Sequence, residues 1–215
     1  MKHLLHSVLI PFILMSCLIP QVLLAKETAK DLASESMEEC QRGRSADARH
    51  IRLAHFERAQ ELAERAVALN DQLPDAHYSL FCTLGEQLRI DGENLMSAFG
   101  FPKMMAELNR TLELNPNHLS AISSKATFLV RLPSLFGGDV KKGKELLRRV
   151  IREDPKCINA RLTLAQVLAD DGEYAEAIAL ATTALKFSEE SGQQDFIKDS
   201  KRMLARLQSK HLVSR

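Results

Sequence analysis

The chain has 215 residues, 29 of them basic and 28 acidic, for a formal charge of +1. That balance removes any global electrostatic argument for binding nucleic acid or a membrane surface. There are nine glycines, no tryptophan and no run of alternating apolar residues, so nothing supports a sheet, and the length suits one elongated helical domain.

Met1–Ala25 opens with Lys2 and two histidines, continues as a long apolar run and ends in LLA before Lys26. Charge, length and the closing small residue predict a secretory signal peptide, so the chain is expected to be exported and periplasmic. Pro11 and Pro20 break the run and speak against an uncleaved membrane anchor. Two processing sites compete. Cleavage after Ala25 leaves a soluble remainder with 28 basic and 28 acidic residues. Leu14-Met15-Ser16-Cys17 resembles a bacterial lipobox, in which Cys17 would carry lipid and supply the membrane attachment. Against it, LIPQVLLA after Cys17 is apolar where lipoproteins usually have a polar tether.

A first helix is expected within Glu27–Gln41, with Arg42–Ala46 as a turn. HFERAQELAERAVALN then reads as its partner, with Ala59, Ala63 and Ala66 at small-residue spacing. PDAHYSLFCTLGEQL begins at Pro74 and pairs with MMAELNRTLELNPNH, and about eleven extra residues fall in its turn, within Glu86–Phe101. LSAISSKATFLVR pairs with VKKGKELLRRVIREDP through the turn LPSLFGGD, which carries five extra residues around Leu132–Phe136. There Gly138 serves the turn and Asp139 the next helix N-cap, and no following Lys-Ser/Thr completes a phosphate loop. Gly143 stands where alanine is usual, so that helix contact should be closer still. In INARLTLAQVLADDGEYAEAIALATTALKFSEES, residues 158–191, Ala177, Ala181 and Ala184 are the small contact positions of a second helix. Phe196, Ser200, Leu204 and Leu207 then mark a polar helix that covers the last apolar face. Pro116 and Pro155, 39 residues apart, end successive units, since proline lacks an N–H and disfavours helix in the residue before it.

These units resemble tetratricopeptide repeats (TPR), over roughly Glu27–Ser191. The resemblance implies an all-α, right-handed solenoid of about four antiparallel helix pairs with a C-terminal cap. The expected organisation is residues 1–25 as signal peptide and 26–191 as the array, divided at about 27–73, 74–118, 119–157 and 158–191. Residues 192–215 then form the capping helix and tail. Two departures stand out. His77, Ile122 and Arg161 occupy the position of the family's large aromatic, and two turns carry insertions. A secreted array with a Leu-Pro-x-Leu-Phe-Gly-Gly-Asp turn also looks like the TatT-type periplasmic component associated with TRAP solute transporters.

The concave surface of such an array is lined by its first helices. The repeat register places Tyr78, Ser79, Cys82 and Glu86 there, then Ser123, Ser124, Thr127 and Arg131, then Asn159, Thr163, Gln166 and Asp170. This lining lacks the Lys/Asn/Arg set by which some relatives clamp a terminal carboxylate. Leu95, Met96, Phe99, Phe101, Leu132, Leu135 and Phe136 form an apolar set in the inserted turns. Turns of this kind project from one side, so Leu95–Phe101 and Leu132–Phe136 are expected to touch.

Three cysteines lie outside the leader. Cys40 and Cys82 could pair on neighbouring first helices, or all three could be small buried residues. No Cys-x-x-Cys or paired His/Cys spacing predicts a metal, no cofactor motif is present, and no Ser/His/Asp grouping or carboxylate pair predicts catalysis. His50 and His55 are five apart on a polar helix and are expected in solvent. Asn109-Arg110-Thr111 is a sequon, but lies mid-helix. Arg131–Arg161 carries nine positive and four negative charges, read as a solvated outer face. The function expected is a non-catalytic scaffold that holds a partner protein or peptide in its groove or on its inserted turns. The rival is a solute-binding accessory of a TRAP-type transporter, with the apolar turns lining a small-molecule pocket.

Overall fold

Three links of one design punctuate the chain. A side-chain oxygen of Asn70, Asn115 and Asp154 accepts the amide of Gln72, Asn117 and Lys156, at 3.0 Å in each case. The carbonyl of the same residue then accepts from Leu73, His118 or Cys157, at 3.1 Å in each case. Asn and Asp stop helices this way because their short side chains bond their own backbone two residues on.

The structure, a computed structural model, describes residues 27–91 and 95–213, and not the side chains of residues 91, 95–99 and 211–213. The expected leader and Cys17 lie outside it. Nine α-helices stand among the described residues, and no strand. They are α1 (Ala29–Ser45), α2 (Arg49–Leu69), α3 (Pro74–Asp91), α4 (Leu95–Leu114), α5 (Leu119–Arg131), α6 (Val140–Glu153), α7 (Ile158–Asp170), α8 (Tyr174–Ser191) and α9 (Gln194–Val213). Each odd helix up to α7 packs on the even helix that follows it, successive pairs stack, and α9 lies on α8. None of the described helices is long and apolar enough to cross a membrane.

Small residues set the helix spacing. Ala59, Ala63, Ala66, Ala177, Ala181 and Ala184 are fully buried. At Gly143 an added Cβ would lie 2.4 Å from Cγ1 of Val130 and 3.1 Å from the Ala126 carbonyl oxygen, so α5 and α6 touch almost backbone to backbone. This close approach lets Leu108, Leu147, Leu164 and Leu168 be enclosed completely.

The large-aromatic positions are filled by other chemistry. His77, Ile122 and Arg161 are all buried. His77 bonds Glu107 at 2.7 Å and the Asp71 carbonyl at 3.0 Å. The Arg161 guanidinium lies 5.4 Å from the Phe187 ring centroid, and its Nε donates to the Pro155 carbonyl at 3.2 Å. Each polar group thus reaches a partner, as burial requires.

Four expectations change. Arg42–Ala46 is not the first turn: α1 continues to Ser45, and the connection is Ala46–Ala48. The extra residues of Glu86–Phe101 lengthen α3 and α4 to 18 and 20 residues instead of widening a loop. Their apolar members recur at helical spacing, and helix propagation satisfies backbone groups that a loop leaves to water. His55 is not free in solvent: its Nδ1 lies 2.6 Å from a Glu39 carboxylate oxygen, whereas His50 is exposed. The Arg131–Arg161 cations are not a plain outer face. Lys144 bonds Asp171 at 2.8 Å and Arg148 bonds Glu176 at 2.5 Å, tying α6 to the next pair, and Arg161 is inside.

A cavity walled on one side by the last helix

The first helices carry the site. On α3, Tyr78, Cys82 and Glu86 recur every fourth residue, so they share one face. Ser124, Thr127 and Arg131, spaced three and four apart, share one face of α5, and Asn159 joins them from α7. All seven line one cavity of ≈900 Å³. Phe81, Phe128, Met104 and Phe101 form an apolar wall, with Phe81 and Phe101 edge-on to Phe128 at 6.3 and 5.9 Å between centroids. Tyr78 packs at a tilt against Phe81 at 5.7 Å and His118 at 4.8 Å between centroids, and its hydroxyl lies 3.4 Å from that of Ser124. His118 is itself fixed: its Nδ1 accepts the Ala121 amide that starts α5, and its Nε2 donates to Asp75 at 3.0 Å.

The far wall comes from α9. Its start, Gln194–Arg202, contributes Asp195, Phe196, Lys198, Asp199 and Arg202 to the lining. It meets the end of α1, where Gln41 donates to Asp195 at 3.2 Å and Lys198 approaches Asp47 at 3.7 Å. The groove of an open array is thereby bounded on both sides.

Electrostatics at the α1–α3 edge are organised by Glu86. It accepts from Arg44 at 2.7 Å and from Arg89 at 2.9 Å. Burial alone would raise its pKa, but the two guanidiniums outweigh burial and hold it below the ordinary carboxylate range. Burial pushes the Cys40 thiol up to about 12 and the Cys82 thiol up to about 11, and it raises the Tyr78 phenol as well. All three groups stay protonated at neutral pH. Cys40, Cys82 and Cys157 are free thiols; Cys40 and Cys82 share one core cluster.

Not every expected groove residue faces the cavity. Ser79, Ser123 and Thr163 are buried: Ser79 donates to the Ala76 carbonyl, and the other two lie under Thr127 and Asn159. Gln166 bonds Asp170 at 2.8 Å and accepts from Arg206 of α9, so both stand outside the lining. Of the inserted-turn set, Phe101 reaches the cavity. The side chains of Leu95, Met96 and Phe99 lie outside the described residues. Leu132 is half-buried, and Leu135 and Phe136 are 86% and 69% exposed on a 3₁₀ turn, Ser134–Phe136. That turn is held by the Asp139 amide donating to Leu129 and by Gly137 at φ 87°, a left-handed conformation natural to glycine. Sequence reasoning missed Arg44 from the end of α1, Asp47 from the α1–α2 turn, Arg52 from the start of α2, and the whole α9 wall. The polar start of α9 carries a weak signal, with Lys198 and Arg202 alternating with Asp195 and Asp199, but register alone does not say what it meets.

No group of three or more His, Cys, Asp or Glu side chains is placed to hold a metal among the described residues. The arrangement offers hydrogen-bond donors, aromatic faces and cations around a void, which is the equipment of a binding site.

A tetratricopeptide-repeat sequence profile matches residues 137–191. Curated protein sequences give no match. Among solved structures, a thermophilic TPR protein of Thermus thermophilus superposes with a TM-score of 0.57 at 15% identity, over 83% of this chain and 82% of that one. PilW, described as a type IV pilus biogenesis factor, gives 0.50 at 14% identity, over 82% and 78%. At these identities the likeness is one of fold. A tetratricopeptide repeat is thus present by sequence over residues 137–191, and the described residues share the fold of tetratricopeptide-repeat proteins.

Proposed function

We propose that this chain is an exported, non-catalytic binding module that receives a segment of a partner protein in the cavity between its first helices and α9. The observation that carries the reading is the ≈900 Å³ void itself, lined by the polar groups of Tyr78, Ser124, Thr127 and Asn159 together with the rings of Phe81, Phe101 and Phe128. Helical repeats present such concave faces to partners, and pockets of about 300–1,000 Å³ hold ligands. Export rests on the composition of Met1–Ala25, with lipid on Cys17 as the variant form.

The test is selection of peptides on the purified chain, followed by titration against Thr127→Trp, which fills the void from α5. Selected peptides should lose about tenfold or more in affinity on the filled variant. Undiminished binding would place the partner surface elsewhere. Export is checked by intact mass of the native protein: the chain should begin at Lys26, or at Cys17 with lipid.

A second reading is favoured by the closure of α9 on α1, which limits the length of chain that can pass through. Here the occupant is a small solute, and the chain serves a transporter as TatT-type components do. A cavity that takes small molecules and rejects every selected peptide would support it.

A further inference from the structure

The walls of the cavity leave a charge imbalance unresolved. Six cations and four carboxylates line it. Glu86 engages Arg44 and Arg89, Asp47 faces Lys198, and Asp199 engages Arg202. Asp195 accepts from the neutral Gln41 amide and keeps its charge, which is offset by the second cation on Glu86. The surplus falls on Arg52 and Arg131, neither of which has an ion pair or hydrogen-bond partner in the described residues. The Nε of Arg52 is also shielded from solvent with no acceptor. An N–H removed from water without an acceptor is unfavourable, and an arriving oxyanion would relieve it. Arg131 lies one helical turn beyond Thr127 on the face that Ser124 and Thr127 present to the void. Phe81, Phe101 and Phe128 line the same cavity and offer ring faces and edges to an apolar body.

We propose that the ligand of this cavity is an amphipathic organic anion. It carries one carboxylate-type oxyanion, which takes its donors from Arg52 and Arg131, on an apolar body of aromatic size, which packs on the three phenylalanines. The proposal rests on the reading that the cavity is a binding site, and names its chemistry. Two sources share that chemistry: a free organic acid, and the C-terminal carboxylate of a peptide ending in an apolar residue.

Two dyes with the same body isolate the anion. 1-Anilinonaphthalene-8-sulfonate carries a sulfonate in place of the carboxylate; N-phenyl-1-naphthylamine lacks the charge. Both are titrated into the purified chain and into Arg52→Gln, Arg131→Gln and, as an exposed control on the α6 surface, Arg152→Gln. Thermal melts confirm that each variant is folded. The anionic dye should bind at one site, about tenfold or more tighter than the neutral dye. It should lose about that factor in each cavity variant and none in the control. Equal binding of the two dyes, or indifference to both cavity variants, overturns the anion while leaving the cavity a binding site. Binding of neither dye overturns both readings. Displacement then separates the sources. Displacement by 4-phenylbutyrate alone assigns a free acid. Displacement by a hexapeptide ending in Phe-COOH and not by its amide assigns a chain terminus. Equal displacement by acid and amide, or by neither probe, overturns the proposal.

Discussion

Arg161 sets a test of how this array replaces a family position with different chemistry. It lies inside α7, 8% exposed, with its guanidinium over Phe187 and its Nε on the Pro155 carbonyl. Truncation to Ala removes three contributions. The buried stem is worth ~2 kcal/mol at ~0.8 per methylene. The ring contact adds ~1 kcal/mol. The hydrogen bond adds ~1 kcal/mol, less in practice because Pro155 is exposed and water can replace the donor. Against these stands ~1.5–2 kcal/mol of side-chain freedom regained, so the net loss is ~2 kcal/mol. Arg161→Met keeps the stem and loses the two polar contacts, for a net loss of ~1 kcal/mol. Urea unfolding followed by far-UV circular dichroism reads both. With a slope near ~2.5 kcal/mol/M for a chain of this size, the Ala midpoint should fall by ~0.8 M and the Met midpoint by about half as much. Any order other than wild type, then Met, then Ala would refute this partition into stem and guanidinium.

Glu86 should give an acid limb. Its pKa is depressed in the folded state, so its contribution is present above the ordinary value of 4.5 and is lost as pH falls through the folded value. Glu86→Gln should therefore be less stable than wild type at neutral pH and lose less between pH 5 and pH 3, as melting temperature against pH will read. With the Cys82 thiol raised from 9.0 to about 11, its thiolate fraction at neutral pH falls about 100-fold, so Cys40 and Cys82 should ignore a disulfide reagent until urea is added. Prompt reaction of the native protein would contradict their burial. Gln41→Ala with Lys198→Ala should raise amide exchange at the start of α9 while leaving α7 and α8 protected; unchanged exchange would mean that α1 does not restrain that segment.

The repeat register was readable because it rests on short-range constraints. Alanine spacing on α2 and α8, the terminating prolines and the glycine on α6 each report a local steric demand, and the alanines and Gly143 are buried as that pattern requires. Which first-helix residues face the void was readable in outline: Tyr78, Cys82, Ser124, Thr127 and Asn159 sit where the repeat register puts them. Ser79, Ser123 and Thr163 fell outside the lining because Ser123 and Thr163 bond across the contact of α5 with α7, and Ser79 bonds back to its own helix. The inserted residues of α3 and α4 were misread because excess length between two helical patterns looks the same whether it loops out or propagates the helix. Buried polar substitutes such as His77 with Glu107 were not readable at all, since their partner lies 30 residues away on another helix. The α9 wall was missed for the same reason on a larger scale.

The contact of Gln41 with Asp195 spans 154 positions of sequence. A stack of repeats ordinarily behaves as a line: each unit feels only its neighbours, and either end can melt while the middle survives. Joining the first helix to the last makes the line a loop in the energetic sense. An end that frays must now give up its contact with the opposite end as well, so opening at either terminus weakens both. The join also comes late, because it needs two distant parts of the chain brought together before any contact forms. Unfolding should therefore be more concerted than in an open array of the same length, and refolding should finish with the docking of α9 on α1.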